Sequence, residues 1–98
     1  MDVRFSDKDL DQLETDPKFD GGYPQVVVKA FRKRMQLIRA AEDERAFYAL
    51  KSLHFEQLKG GRNNQHSMRL NDQWRLILEL VEMNPYMIVL IVSIEDYH

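Results

Sequence analysis

The chain of 98 residues contains no cysteine, one tryptophan, three prolines and four glycines. Without cysteine it can form no disulfide framework, no thiolate nucleophile and no thiolate metal site, as is common in reducing compartments. The longest apolar run, MIVLIVSI at 87–94, is far shorter than the roughly 20 residues of a membrane-spanning helix. No charged-then-apolar leader precedes the first charges, so the sequence predicts a cytoplasmic protein with no membrane partner.

The composition favours one compact domain over residues 1–98. Hydrophobic residues make up 44% of the chain and aromatic residues 10%, which is too apolar for a disordered chain. The length is too short for two ordinary cores. No internal repeat or low-complexity segment interrupts this organisation.

Charges of one sign are missing from two segments, although the formal net charge is only −2. Residues 21–41 hold no acidic side chain but five basic ones, and residues 76–98 hold four acidic side chains but no lysine or arginine. The segment 45–75 carries six basic and two acidic residues. Such blocks can build a local positive surface that binds a polyanion, and they are equally typical of solvated faces.

The first half of the chain predicts a strand followed by two helices. DVRFS alternates apolar and polar residues like a half-buried strand. Ser6 with Asp9 resembles a capping box that opens a helix ending before Pro17. Pro24 suits the first turn of a second helix, whose apolar positions recur at helical spacing up to about Glu42. The segment AFYALKSL is ambiguous between a helical turn and an irregular connection.

The second half predicts three consecutive antiparallel strands after a loop at KGGRNN (59–64). HSMRL, QWRLILELVE and YMIVLIVSIEDYH are apolar and β-branched, and turn signals separate them. The pattern is that of an α+β fold with helices on one face of the sheet. Strict alternation along the last strand would place Ser93 on the face of Ile91, and Asp96 and His98 together on the other.

The segment LKGGRNNQHSMRLNDQWRLILE, followed by a terminal EDYH, resembles the HigB toxins of bacterial toxin–antitoxin modules, within the RelE-like superfamily. The resemblance covers most of residues 53–98. It implies an α+β, RelE-like fold and a ribosome-dependent endonuclease that cuts translated mRNA and contacts 16S rRNA. It also implies neutralisation by a helix-turn-helix antitoxin, HigA, through which alone the toxin would reach operator DNA.

The same resemblance maps site residues onto this sequence. Asp96, Tyr97 and His98 fall on positions associated with cleavage, and Lys59 and Arg75 fall on basic positions near the scissile phosphate. Ungapped matching puts Glu56 where the family has a histidine, with His54 two residues upstream. Either residue could fill that role. The candidate site residues are therefore His98, Tyr97, Asp96, Glu56 and His54 for catalysis, and Lys59, Arg62, Arg69 and Arg75 for RNA phosphate.

RNA supplies its own nucleophile, the 2′-hydroxyl, so the protein must hold the backbone in line, move protons and stabilise charge. His98 is the first choice for proton transfer because imidazole titrates near neutral pH. Tyr97 could stack on a base, donate a hydrogen bond to phosphate or close the core. The sequence shows no cluster of carboxylates and histidines at metal-ligand spacing, so we expect a metal-independent reaction with no cofactor.

Two other functions remain open at this point. The same scaffold could serve a non-enzymatic inhibitor like the ParE-type relatives that block DNA gyrase, which would not need the proton-transfer groups of DYH. It could also serve a plain nucleic-acid-binding module, whose salt-dependent binding would survive changes to the terminal residues.

Overall fold

Three helices and five strands follow one another in the computed structural model, which describes residues 1–62 and 64–96. The helices are α1 (Lys8–Thr15), α2 (Gln25–Ala40) and α3 (Arg45–Ala49). The strands are β1 (Asp2–Phe5), β2 (Glu56–Gln57), β3 (Gln65–Arg69), β4 (Trp74–Glu82) and β5 (Met87–Asp96). Short 3₁₀ turns span Lys51–Leu53 and Gly60–Arg62.

One mixed sheet with the order β1-β5-β4-β3-β2 forms the centre of the fold. The predicted antiparallel meander is confirmed, since β3 pairs with β4 and β4 with β5 in antiparallel register. The strand β1 pairs in parallel with β5. The strand β2 is not predicted from the sequence, because its two residues are too few to show an alternating pattern.

The predicted start of α1 is wrong by one residue. Asp7, and not Ser6, is the N-cap, and its Oδ1 accepts a 2.9 Å hydrogen bond from the backbone N–H of Leu10. Ser6 directly follows β1 and stays bound to β5, because its N–H donates to the carbonyl of Ile91 and its hydroxyl donates to the carbonyl of Val92 at 2.7 Å. A side chain engaged across the sheet cannot cap the helix.

The helices pack on one face of the sheet, where apolar residues at helical spacing meet alternate residues of three strands. Within α2 the side chains of Val27, Phe31, Met35 and Ile38 are fully buried, as their spacing predicts. Burial of each such side chain stabilises the fold by about 1.5–3 kcal/mol. Trp74 is partly buried and packs against this cluster. The sheet contributes Met68, Leu76, Leu78, Val89 and Ile91, all with no exposed surface.

A β-bulge at Val92 changes the alternation of β5. Ile77 pairs with Ser93 and the next residue, Leu78, pairs with Ile91, so Val92 has no partner on β4. An extra residue in one strand shifts every later side chain to the other face. The expectation that Ser93 shares the face of Ile91 is therefore wrong.

Of the residues described, none belongs to a helix long and apolar enough to cross a membrane.

Candidate nucleic-acid interface

The sheet face opposite the helices, called the open face, carries a row of charged residues across its strands. Residues paired across antiparallel strands project on the same face. Arg69 of β3 is paired with Arg75 of β4, and Arg75 with Glu95 of β5. Continuing the β2–β3 register by two residues places His54 opposite Arg69. We call His54, Arg69, Arg75 and Glu95 the charged row.

His54 enters this row through an unusual backbone conformation. It ends the 3₁₀ turn at Lys51–Leu53 with φ 47° and ψ 45°, and it is the only described residue other than glycine with a positive φ. This left-handed conformation costs a residue with a Cβ about 1–2 kcal/mol. Its Nε2 lies 3.5 Å from Nη1 of Arg69. The chain thus brings an imidazole and a guanidinium together at the edge of the sheet.

Arg69 is oriented by contacts on both sides. Its Nη2 donates to the carboxylate of Asp72, and its backbone carbonyl accepts a 2.9 Å hydrogen bond from Nε of Arg34. Burial, followed by the nearby charge of Arg69, lowers the pKa of the Arg34 guanidinium. The helix α2 therefore places a second cation close to the charged row.

Arg62 reaches over the open face from the glycine loop to β5. Its Nη1 and Nη2 donate to the two carboxylate oxygens of Glu95 at 3.1 and 2.9 Å, while its Nε donates to Oε1 of Gln65 at 2.8 Å. The hydrogen bonds from Arg62, which have the larger effect, and from Ser93 lower the pKa of Glu95. The carboxylate is therefore ionised at neutral pH.

Like charges meet in the middle of the row. Arg75 is half-buried and stands directly opposite Arg69 on one side and Glu95 on the other. Like charges directly opposite each other in a sheet are destabilising. The carboxylates of Glu95 and Asp72 offset this repulsion, and an anionic ligand laid along the row could do the same.

Asp96 lies on the other face of β5 from Glu95. It pairs with Trp74, whose ring packs against the helix-side core, and its Oδ2 accepts a 3.1 Å hydrogen bond from Nε2 of Gln73. The structure thus separates Asp96 from the arginines of the charged row. Tyr97 and His98 lie outside the described residues, so their proposed roles stay predictions.

Glu56 and Lys59 are exposed on either side of Gln57 and Leu58. Glu56 pairs with Ser67, one of the open-face positions, and so belongs to the row next to the charged row. Lys59 precedes Gly60, whose φ of 76° turns the chain into the loop that carries Arg62. Of the two candidates for the family histidine, His54 is the one that contacts an arginine of the row.

The basic residues of α2 divide into two groups. Lys29 and Lys33 are exposed. The other three bind within the fold: Arg32 donates to the carbonyls of Leu13, Asp16 and Phe19, Arg34 to that of Arg69, and Arg39 forms an ion pair with Glu14. The positive surface that the charge pattern predicts is therefore smaller than the count of basic residues suggests.

His66 lies on the helix side of β3, away from the charged row. It stacks on Phe55 with ring centroids 5.0 Å apart and planes 9° apart. Burial lowers the pKa of His66, and its Nδ1 is buried with no hydrogen-bond partner in the part of the chain that the structure describes. This is a histidine held neutral by packing, as expected of a residue without a direct role in chemistry.

A pocket of about 400 Å³ lies at the other side of the molecule, between β1, α1 and Arg39. Its walls include Arg4, Asp7 and Lys8. Concave sites are the default location for small ligands, but the residues of the charged row lie elsewhere, on the open face. An extended polymer such as RNA suits an open sheet face better than a small ligand does.

Sequence reasoning missed the acidic partners of the site. Glu95 appeared only within the terminal EDYH pattern, and neither Asp72 nor Arg34 was singled out. Asp72 is three residues from Arg69, a spacing that could have suggested the pair. The Arg62–Glu95 pair joins residues 33 positions apart, and no local signal in the sequence predicts it.

The fold is that of the RelE-like toxins. Over the whole chain it superposes on all of a YoeB/ParE toxin from Agrobacterium tumefaciens with a TM-score of 0.60 and 13% identity. Over 97% of the chain it superposes on 91% of YafQ from Escherichia coli strain BL21(DE3), with a TM-score of 0.60 and 12% identity.

Sequence comparison narrows this class to one family. A family model described as the RelE-like toxin of the type II toxin–antitoxin system, HigB, matches residues 3–98. The chain is 30% identical over 90 residues to Toxin HigB-1 of Vibrio cholerae serotype O1 (strain ATCC 39315 / El Tor Inaba N16961), covering 89% of this chain and 95% of that protein. The chain belongs to the HigB-like toxins, and its partner is accordingly an antitoxin.

Proposed function

We propose that this toxin is an endoribonuclease that cuts mRNA on the ribosome in the cytoplasm and is neutralised by a HigA-type antitoxin. The charged row carries the proposal. It brings His54, Arg69 and Arg75 onto one open face, with Arg62 directed at the same place from the glycine loop. Partly exposed arginines side by side on one face of a sheet suit the repeated phosphates of an RNA strand.

The reaction needs no group beyond the RNA and the protein side chains. The 2′-hydroxyl attacks the adjacent phosphorus, the bond to the 5′-oxygen breaks, and a 2′,3′-cyclic phosphate and a 5′-hydroxyl result. Arg69 and Arg75 stabilise the extra negative charge of the phosphorane-like transition state. His54 and His98 are the candidates for removing the 2′-hydroxyl proton and protonating the leaving oxygen, each adding about 10²–10⁴-fold.

The remaining predicted residues take supporting roles. Tyr97 stacks on a base or donates to a phosphate oxygen, Asp96 orients the end of the chain, and Lys59 neutralises a backbone phosphate beside the glycine loop. If the ungapped alignment with the family is correct, Glu56 and not His54 is the proton-transfer group. The exposed Lys29 and Lys33 of α2 supply cations for docking on 16S rRNA.

Primer-extension mapping of mRNA with purified ribosomes tests this function. The wild-type toxin should produce discrete cuts, and His98→Ala should remove them and abolish growth inhibition. The variant should still bind its antitoxin, because binding a protein partner needs no proton transfer. Unchanged cutting by His98→Ala would contradict the catalytic role of the chain end. Growth inhibition by the wild type without any cuts would instead favour a non-enzymatic inhibitor of the ParE kind.

A further inference from the structure

We propose that Arg62 and Glu95 form a phosphodiester site that the carboxylate of Glu95 occupies until RNA displaces it. The inference rests on the proposed function, because it takes the ligand to be an RNA backbone. It adds a specific step to binding. A phosphate of the strand replaces Glu95 as the bidentate acceptor of the Arg62 guanidinium.

A phosphate would bind the guanidinium of Arg62 with the same geometry as the carboxylate of Glu95 does. Nη1 and Nη2 of Arg62 donate to separate oxygens of Glu95 at 3.1 and 2.9 Å. A guanidinium binds carboxylate and phosphate through the same two-pronged arrangement, so two oxygens of a phosphodiester can replace the two carboxylate oxygens. The side chains of Arg62 and Glu95 are 44% and 41% exposed. A ligand can therefore reach both partners from solvent.

Arg62 keeps its orientation when Glu95 leaves. Its Nε donates to Oε1 of Gln65 at 2.8 Å, which holds the guanidinium over the sheet independently of the carboxylate. An arginine already fixed in place loses less conformational entropy when it binds a phosphate. The Gln65 contact thus preorganises the site for its second ligand.

Glu95 also has other partners to accept its charge after displacement. Its Oε2 accepts a 2.8 Å hydrogen bond from the hydroxyl of Ser93, and Arg75 stands directly opposite it on β4. Neither partner depends on Arg62. Because the side chain of Glu95 is also 41% exposed, water and these two partners compensate its charge after the exchange.

Displacement changes the charge that the open face presents to RNA. In the free protein two carboxylates, Glu95 and Asp72, are paired with arginines of this surface. Carboxylates beside the binding path repel phosphates, so they lower affinity for any polyanion that fails to reach the arginines directly. The pair thus favours a strand whose phosphate matches the position of Arg62 over nonspecific anions.

Binding of a 2′-O-methyl RNA oligonucleotide, which lacks the nucleophile and cannot be cut, tests the proposal by fluorescence anisotropy at low salt. Glu95→Gln removes the competing charge while keeping the side-chain shape. It should tighten binding about two- to five-fold, the range set by an exposed ion pair. Arg62→Gln should weaken binding, and adding Glu95→Gln to Arg62→Gln should tighten binding clearly less than Glu95→Gln does alone, because only the general repulsion by the carboxylate is then removed. Glu82→Gln, an exposed glutamate at the far end of β4, is the matched control for loss of one negative charge.

The outcomes separate this site from the function on which it rests. Equal tightening by Glu95→Gln with and without Arg62, or equal tightening by Glu82→Gln, would reduce the effect to net charge and overturn the proposal. Weaker binding by Glu95→Gln would show that Glu95 only positions Arg62, and would also overturn it. If these failures occur in a toxin that still cuts mRNA on ribosomes, the proposed function stands. A wild type that neither binds nor cuts RNA would refute both.

Discussion

Replacing His54 by glycine should separate the chemistry of this toxin from its folding. His54 has φ 47° and ψ 45°, a conformation that costs a residue with a Cβ about 1–2 kcal/mol. Glycine adopts it without that cost but loses about 0.5–1 kcal/mol through its greater freedom in the unfolded chain. The exposed contact of His54 with Arg69 at 3.5 Å adds little. The net change is between about zero and 1.5 kcal/mol in favour of the variant.

Thermal unfolding measures this balance directly. For a domain of this size 1 kcal/mol corresponds to about 4–8 °C, so His54→Gly should melt no lower than the wild type and up to about 10 °C higher. If the imidazole transfers a proton in the reaction, the same variant should lose about 10²–10⁴-fold in cleavage rate on ribosomes. A more stable and less active protein is the expected result.

Two control variants distinguish a catalytic role of His54 from a role of Glu56 and from an effect on folding. Glu56→Gln changes the residue at the ungapped family position and should leave cleavage nearly unchanged if His54 has the role. His54→Asn keeps a polar side chain that tolerates the left-handed conformation and should be inactive but stable. Full activity of His54→Gly, or loss of activity only in Glu56→Gln, would refute the reasoning. A large fall in melting temperature would show that the side chain supports the fold.

Two further predictions follow from the charged row and from the buried histidine. Arg75→Gln removes a cation from between Arg69 and Glu95, so cleavage should fall about 10²–10³-fold. The free energy of unfolding should change by less than about 1 kcal/mol. A large loss of unfolding free energy in chemical denaturation would instead indicate a structural role. For His66 the folded pKa is lowered from 6.5 by burial, so stability is greatest above pH 6.5 and falls as the pH decreases through the folded pKa. The melting temperature of the wild type should drop between pH 7.5 and 5.5 by more than that of His66→Phe. Equal drops would contradict the lowered pKa of His66 in the folded protein.

The sequence predicted the elements of this fold well where a periodic pattern was long. The apolar spacing of α2 and the β-branched, apolar runs of β4 and β5 each extend over enough residues for one periodicity to exceed the alternatives. The two-residue β2 is too short to show any pattern. The start of α1 was predicted one residue too early for a different reason, because the hydroxyl of Ser6 donates to the carbonyl of Val92 across the sheet and local propensity does not report such contacts.

The candidate site could be predicted only in part from the sequence. Family resemblance identified most of the basic side chains, because their positions along the chain match a motif. It could not show that Arg62 and Glu95 are paired, or that His54 lies 3.5 Å from Arg69, since both contacts depend on how distant segments pack together. Whether two charges pair across a sheet depends on the register of strands that lie far apart in the sequence.

The bulge at Val92 determines which carboxylate of β5 faces the arginines. Because Val92 has no partner on β4, its removal would restore regular alternation and leave Glu95 and Asp96 on their present sides of the sheet. Straightening the strand with all its residues kept would instead exchange the two carboxylates between the faces. Toxins of this family that are one residue shorter at this point should therefore be aligned backward from their last residue.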